Sequence, residues 1–323
     1  MKKIVSITLG IAVSIIAIYL IFRNIDVSTS IDNLKVVPVY SVLVLMAIYL
    51  SGFVLRALRW RLMLVNLESL SFKVWLNSIV VGYAGNNVIP ARGGELLRME
   101  HFSRTSGVSR TISLSSVLTE KILDGLSLLL ILLLVVWLYP GDLLSIVWFK
   151  SLFVLANLIF VGAISFLIVL KAFGNHIIGW LKQKQGVFFK LGDLFGKIVE
   201  SLDFIQPNLK SLVILLIGAS IWVVEGGMFV YAFSLLMPDQ SVFILGYLTL
   251  VVVNFGILIP SSPGYVGVFQ AMTVLACSIV GIAEEQALSV SLLIHGSQFI
   301  PITLWGLLIL GKGLFSKVKQ EAN

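Results

Sequence analysis

Two polar breaks interrupt a chain that is otherwise strongly apolar. The first break is Asn86-Asn87-Val88-Ile89-Pro90-Ala91-Arg92-Gly93-Gly94-Glu95, and the second break runs from Asn254 through Pro260-Ser261-Ser262-Pro263-Gly264 to Gly267. Each break combines helix-breaking Pro or Gly with polar side chains. Because unpaired backbone groups and charges are costly in lipid, such segments are tolerated at membrane depth only when they are buried in protein or line a wet cavity. The two breaks therefore predict a cavity lined by protein.

The composition is that of an integral membrane protein. Of the 323 residues, 58% are hydrophobic and only 12% are charged, and the mean hydropathy is +1.03. Soluble domains are roughly half apolar and about a quarter charged. Several apolar runs reach the roughly 20 residues that a helix needs to cross a bilayer. The runs cover residues 4 to 22, 39 to 55, 74 to 90, 112 to 138, 151 to 170, 209 to 236, 242 to 260, 264 to 281 and 287 to 311.

The placement of Lys and Arg predicts how the chain crosses the cell membrane. Cytoplasmic loops are enriched in these residues. If both termini are cytoplasmic and residues 74 to 111 enter and return to the same side, only Arg23, Lys35 and Lys150 lie outside, with Lys121 inside a span. Nineteen of the 23 basic residues are then cytoplasmic. A single crossing by 74 to 90 would instead place nearly every later basic cluster outside.

The resulting order is two spans, a hairpin from the inside and a span, followed by two spans, a hairpin from the outside and a span. We therefore predict an all-α polytopic membrane protein with six full spans and two broken re-entrant hairpins, arranged as an inverted-topology repeat. Charge leaves open whether the hairpin over 242 to 281 crosses fully. One transmembrane domain, 1 to 323, would contain pseudo-repeat halves of about 1 to 138 and 146 to 315, with a cytoplasmic amphipathic segment at 171 to 210. Secondary transporters repeatedly use this plan, with binding sites at discontinuous helices.

The strongest polar set lies at and after the first break. Arg92 and Glu95 flank two glycines, which allow close backbone approach to a ligand or left-handed torsions. Arg98 follows in a helix-capable run, and helix-start amides and forked guanidinium groups both suit phosphate. Glu120 and Asp124 lie four residues apart on one helical face, within a span where a carboxylate needs a partner or a proton. The acids either orient the arginines, relay protons or brace the hairpin, and the arginines either bind ligand or pair with the acids.

Polar groups elsewhere in the spans are fewer. The second break offers dipoles and bare backbone, and its alternative role is a tight turn between spans. Glu225, near the middle of a span, is either a coupling group or a neutral structural carboxyl, and His295 is expected to be a packing residue. The predicted substrate-binding set is Asn87, Arg92, Glu95, Arg98, Glu120, Asp124, Asn254, Ser261, Gly264 and Gln270.

The first break and its continuation, Asn86 to Arg98, resemble the lysylphosphatidylglycerol synthase transmembrane family, also called the flippase-like domain family. Supporting matches are Arg56 to Arg61, Thr119 to Gly125 and Pro263 to Phe269, so that the resemblance covers nearly the whole chain. The family implies movement of aminoacylated phospholipids, or of sugar and polyprenyl-phosphate lipids, between leaflets. In the fused synthases a separate soluble domain transfers the aminoacyl group, so we expect this chain to be the stand-alone membrane module.

Two positions depart from the family pattern. Gln270 stands where the family often has Glu, which argues against a role that requires a titratable group there. Lys121 replaces a frequent Arg after the first acidic residue.

The leading functional prediction is a lipid flippase or transporter. There is no Walker loop, dinucleotide fingerprint, HExxH motif or nucleophile elbow, so we expect no catalytic residues, metal or cofactor. The basic residues follow membrane topology and do not indicate nucleic acid. The expected partners are the lipid substrate and a lipid synthase or glycosyltransferase. Two alternatives stay open, a non-transporting membrane scaffold for such an enzyme and an intramembrane lipid-modifying enzyme with Glu120 or Asp124 as general base.

Overall fold

The computed structural model describes residues 15–16, 19, 23, 25–64, 67, 69–90, 92–200, 208–259 and 261–321. These residues are helical or lie in turns, and none of them forms a strand. The helices are α1 (Val27–Leu34), α2 (Val39–Met63), α3 (Phe72–Val88), α4 (Gly93–Ser106), α5 (Arg110–Leu138), α6 (Val147–Lys182), α7 (Val187–Glu200), α8 (Leu209–Leu236), α9 (Val242–Gly256), α10 (Val268–Ser278) and α11 (Glu284–Glu321).

Five of the helices in the described residues are long and apolar enough to cross a membrane. They are α2, α5, the first 20 residues of α6, α8, and α11 as far as Lys312. These helices correspond to five of the six predicted spans, and the remaining one, 4 to 22, lies almost entirely outside the described residues. The predicted all-α polytopic fold is therefore confirmed. The inverted repeat, with its halves of about 1 to 138 and 146 to 315, stays a prediction.

Both predicted breaks interrupt the helices. At the first break, α3 ends at Val88 and α4 begins at Gly93. At the second break, α9 ends at Gly256 and α10 begins at Val268, with a single 3-10 turn at Pro263–Tyr265 between them. Pro and Gly therefore end the helices where the sequence predicts.

The chain forms two compact units. The first unit comprises Met1–Val54, Ile79–Arg98 and Val223–Asn323, so it contains both breaks. Within it, α10 packs against α9 and α11, and α11 also packs against α1. The side-chain amide of Asn33 on α1 donates to the Ser289 hydroxyl on α11 at 3.2 Å, and the Ser289 hydroxyl donates to the Ser30 carbonyl at 3.0 Å.

The second unit comprises Leu55–Ser78 and Met99–Trp222. Here α5, α6 and α7 pack on one another. The predicted amphipathic segment at 171 to 210 comprises the end of α6, the whole of α7 and the start of α8, with 201–207 outside the described residues.

A fully buried aromatic cluster joins three helices within the second unit. The rings of Trp60, Trp75 and Phe102, from α2, α3 and α4, lie with centroids 4.4 to 5.1 Å apart. The Trp60 indole N–H donates to the Ser116 hydroxyl on α5 at 2.9 Å. Aromatic contacts of this geometry add stability beyond the area they bury, so the cluster fixes the positions of these helices within the unit.

Candidate functional site at two helix breaks

Glycines bring the backbones of α3 and α4 into direct contact at the first break. A β-carbon on Gly94 would overlap the Gly82 carbonyl oxygen, and one on Gly85 would lie 2.7 Å from the Gly94 Cα atom. The Gly94 amide donates to the side-chain oxygen of Asn86 at 3.0 Å. These glycines therefore allow α3 and α4 to form a tight helical hairpin, because any side chain at these positions would force the two backbones apart.

The left-handed torsion at the first break belongs to Arg92 and not to a glycine. Arg92 has a φ of 56°, while Gly93 and Gly94 lie at the start of α4. The Gly93 amide donates to the Pro90 carbonyl at 3.3 Å, and the Glu95 amide donates to the Arg92 carbonyl at 3.2 Å. Because the amides of residues 93 to 95 already have partners within the hairpin, an anion at this corner would be held by side chains.

The second break contains a run of left-handed residues. Gly264, Tyr265 and Gly267 have φ values of 66°, 60° and 88°. The Gly267 amide donates to the side-chain oxygen of Gln270 at 2.8 Å, and Gln270 thereby caps α10. Gln270 is buried, so this hydrogen bond fixes the orientation of its side-chain amide.

His295 connects Gln270 to the turn of the second break. The Gln270 side-chain nitrogen lies 2.9 Å from His295 Nδ1, and His295 Nε2 lies 2.8 Å from the Gly264 carbonyl oxygen. Since the Gln270 oxygen accepts from Gly267, its nitrogen must donate, so Nδ1 accepts and Nε2 carries the proton. The imidazole is therefore neutral in this arrangement. It also stacks on Phe269, with ring centroids 4.5 Å apart.

His295 is thus a structural part of the second break and more than the packing residue expected from the sequence. Its spacing from Gly264 and Gln270 along the chain gives no periodic signal. Only the contact between α11 and the turn shows its role.

The two breaks meet within the first unit. The Arg92 Nη2 atom donates to the Ile257 carbonyl oxygen at 2.8 Å. The backbone oxygen of Asn87 would lie 3.4 Å from a β-carbon on Gly264. The Asn87 side chain also donates to the Thr303 hydroxyl on α11 at 2.7 Å. Asn87 and Arg92 of the first break therefore contact the second break, in which Gln270 and His295 are hydrogen-bonded to the turn.

Other predicted residues of the first unit are buried or half-buried. Glu95 is half-buried in the first turn of α4, and Arg98 is buried with its side-chain carbons against Gly82. The Asn254 side chain donates to the Leu250 carbonyl of its own helix at 2.9 Å, and Ser261 is buried.

Glu120 and Asp124 bind Arg59 within the second unit. The Arg59 guanidinium lies 2.7 Å from an Asp124 oxygen and 3.8 Å from a Glu120 oxygen, and all three side chains are buried. The Trp222 indole N–H lies 3.3 Å from Asp124. The two carboxylates therefore attach α5 to α2 through Arg59.

The sequence pattern did not indicate Arg59 as the partner of these acids. A usable signal was present. Arg56 and Arg59 are three residues apart near the end of an apolar helix and therefore share one helical face, as Glu120 and Asp124 do at a spacing of four. Arg56 is also buried, with its guanidinium 5.8 Å from the centroid of a Trp222 ring.

Glu225 is buried on α8 in the first unit. A β-carbon on the adjacent Gly226 would overlap the ring of Tyr247, and one on Gly246 would lie 2.7 Å from the Val230 amide nitrogen. Gly226 and Gly246 therefore allow α8 and α9 to pack closely.

An exposed ion cluster lies where α4 meets α5 in the second unit. One Glu100 oxygen pairs with Arg104 at 2.6 Å and the other pairs with Arg110 at 2.5 Å. Hydrogen bonds from Arg110 and Arg104 lower the pKa of Glu100 to about 2. Among the described residues, no group of three His, Cys, Asp or Glu side chains is arranged to hold a metal ion.

Five spanning helices and two helix breaks that meet define a polytopic α-helical membrane protein with discontinuous helices. The chain belongs to the lysylphosphatidylglycerol synthase transmembrane family, because the family model described as "Lysylphosphatidylglycerol synthase TM region" matches residues 7–306. The resemblance seen in the sequence is thereby confirmed. No curated protein and no solved structure matches the chain.

Proposed function

We propose that the protein is a lipid flippase or transporter of the cell membrane, with both termini in the cytoplasm. The substrate class is an anionic or aminoacylated phospholipid, or a polyprenyl-phosphate-linked lipid. The meeting of the two breaks, through the 2.8 Å contact of Arg92 with the Ile257 carbonyl, carries the proposal. Transporters place substrate and ion sites where discontinuous helices meet.

The side chains around the breaks suit a lipid headgroup whose chains remain in the bilayer. Arg92 and Asn87 are half-buried and offer donors for phosphate oxygens. Large apolar side chains flank the same breaks and are exposed, namely Val88 at 56%, Leu258 at 51% and Ile259 at 48%. A headgroup at Arg92 would therefore have apolar surface beside it for its acyl or prenyl chains.

The buried carboxylates favour transport over intramembrane chemistry. A general base needs a free lone pair within reach of the substrate. Glu120 and Asp124 are instead buried against the Arg59 guanidinium, at 3.8 and 2.7 Å. We therefore assign them a bracing role within the second unit.

The direct test is lipid exchange between leaflets in liposomes that contain the purified protein and fluorescently labelled phosphatidylglycerol. A hydrogen bond to a charged group contributes about 1.5 to 3 kcal/mol, so we expect Arg92→Ala to slow exchange roughly tenfold or more. Arg104→Ala is the matched control, because Arg104 is 64% exposed and pairs only on the surface with Glu100.

Three results would count against transport by this site. An unchanged rate of lipid exchange in Arg92→Ala would refute the assignment of the headgroup site to Arg92. Chemical modification of the lipid in detergent, without two compartments, would support the enzyme. Absence of exchange by folded wild-type protein that co-purifies with a lipid synthase or glycosyltransferase would support the scaffold.

A further inference from the structure

The Arg92 side chain connects the two breaks through a hydrogen bond from its charged guanidinium group to an uncharged backbone carbonyl oxygen. Its acceptor, the Ile257 carbonyl, belongs to the residue that caps the C-terminus of α9. Carbonyls at a helix C-terminus carry partial negative charge, so the contact is favourable. It is nevertheless weaker than a contact with an ionised oxygen, because a full negative charge attracts the guanidinium more strongly than the partial charge of a carbonyl does, and phosphate can accept two of its N–H groups at once.

Backbone strain is concentrated at the same two breaks. Among the residues that the structure describes, Arg92 and Tyr265 are the only non-glycine residues with positive φ. One lies in each break. A left-handed residue with a side chain costs roughly 1 to 2 kcal/mol and persists only where its surroundings hold it. The Arg92 contact therefore helps to hold a strained turn against the end of α9.

We propose that the contact between Arg92 and Ile257 is a latch that an anionic headgroup releases. Phosphate oxygens would replace the Ile257 carbonyl on the guanidinium, whose forked donors match a phosphate in pairs. Loss of the carbonyl contact would free the end of α9 from the first break. The lipid nature of the ligand rests on the proposed function, whereas the exchange of acceptors requires only a phosphate group.

The other contacts of α3 indicate which helices would separate when the latch is released. Asn87 stays hydrogen-bonded to Thr303 on α11, and a β-carbon on Gly306 of α11 would overlap that of Ala84 on α3. These contacts do not involve Arg92. Release of the latch should therefore move the end of α9 away from α3 and leave α3 attached to α11.

Two spin-label pairs measure these movements separately. The test pair is Val88→Cys with Leu258→Cys, and the control pair is Val88→Cys with Leu304→Cys. All three positions are more than half exposed. The only native cysteine, Cys277, is buried and is replaced by Ala in both backgrounds.

The distances are measured by pulsed electron paramagnetic resonance in maltoside micelles, which contain no phosphate. The probes are dihexanoyl phosphatidylglycerol, glycerol 3-phosphate, and chloride at the same ionic strength. With the lipid probe we expect a second population in the test pair, longer on the order of 5 Å, the size of a one-turn displacement. The control pair should not change.

The probes distinguish the source of the phosphate. A response to both phosphate compounds supports release by the phosphate group itself, and a response to the lipid alone adds a requirement for its chains. An unchanged test pair with both compounds, or an equal response to chloride, overturns the latch.

Variants of Arg92 test the contact itself. In Arg92→Gln the longer population should be present without ligand and should not respond to phosphate, while the control pair reports that the hairpin is folded. Arg92→Lys keeps the charge and should retain the short distance with a weaker response. A short test-pair distance in ligand-free Arg92→Gln, with the control pair unchanged, would contradict the proposal.

The latch and the transport function can fail independently. Lipid exchange by a wild-type protein whose test pair never responds would remove the latch and keep the transporter. A responding test pair without exchange in liposomes would keep the latch and remove the transporter.

Discussion

Removal of Arg59 should destabilise the protein more than removal of any surface arginine. Arg59→Met keeps most of the side-chain volume but leaves Glu120 and Asp124 buried without their cation. Breaking a buried ion pair by removing one partner costs about 3 to 5 kcal/mol, because the remaining charge is uncompensated.

The distances from Arg59 to the two carboxylates indicate which carboxylate contributes more to stability. At an effective dielectric constant of about 20, the gross attraction is about 6 kcal/mol at the 2.7 Å separation from Asp124 and about 4 kcal/mol at the 3.8 Å separation from Glu120. Most of this attraction offsets the loss of hydration of three charges. Asp124→Asn should therefore weaken the protein more than Glu120→Gln does.

A charge-balanced variant separates lost attraction from unpaired charge. The double variant Arg59→Met, Asp124→Asn removes one charge of each sign, those of the 2.7 Å pair, and replacement of a whole buried ion pair is often close to neutral. We expect it to recover at least half of the stability lost in Arg59→Met. The free energy of unfolding would be measured from helix content during titration of maltoside micelles with dodecyl sulfate.

Arg104→Met is the matched control for this series. Arg104 also pairs with a glutamate four residues away in sequence, but it is 64% exposed. Surface pairs contribute roughly 0 to 1 kcal/mol. A loss below about 1 kcal/mol in Arg59→Met, or a double variant no more stable than the single one, would refute the assignment of a buried charge brace.

Three further predictions concern the two breaks and the exposed ion cluster. Gly94→Ala should destabilise by about 1 to 3 kcal/mol or more in the same unfolding titration, because its β-carbon would overlap backbone, whereas Gly227→Ala has open space and should be neutral or slightly stabilising. Gln270→Glu replaces the donor to His295 Nδ1 with an acceptor, so this hydrogen bond forms only when one more proton binds, on the imidazole or on the carboxylate. Lipid exchange by this variant should rise with acidity between about pH 8 and 5 relative to wild type, and parallel pH profiles would contradict the neutral imidazole. The lowered pKa of Glu100 means that its ion pairs stabilise the fold at neutral pH and lose this effect as pH falls from about 4.5 toward about 2. The thermal midpoint of Glu100→Gln should therefore lie below that of wild type at neutral pH and converge with it in acid, and a constant difference would exclude this pair as the cause.

The sequence by itself determined the class of protein and the positions at which its helices stop. Runs of about 20 apolar residues leave a helix as the stable way to satisfy backbone hydrogen bonds in lipid, so the five described spans follow from composition and length. Pro and Gly end α3 and α9 because they cannot maintain a regular helix at low cost. Both effects act over a few neighbouring residues and can be recognised without the fold.

The partners of the polar residues were decided only by the tertiary structure. Glu120 was expected to need a partner or a proton, but Arg59 lies 61 positions earlier in the chain and several arginines were available. Arg92 donates to the carbonyl of Ile257, 165 residues away, and a backbone carbonyl has no signature in the sequence. Electrostatic need therefore predicts that a buried charge has a partner, whereas helix packing selects that partner.

The same distinction applies to the two breaks. The local sequence predicted polar backbone at 86 to 95 and 254 to 267. The motif around the first break indicated the family whose model matches residues 7–306. That the breaks contact each other depends on the approach of the Asn87 backbone to Gly264 and on the hydrogen bond from Arg92 to Ile257, while Asn87 is also bound to Thr303. Such contacts depend on three-dimensional shape across more than 160 residues, and no periodicity in the sequence encodes them.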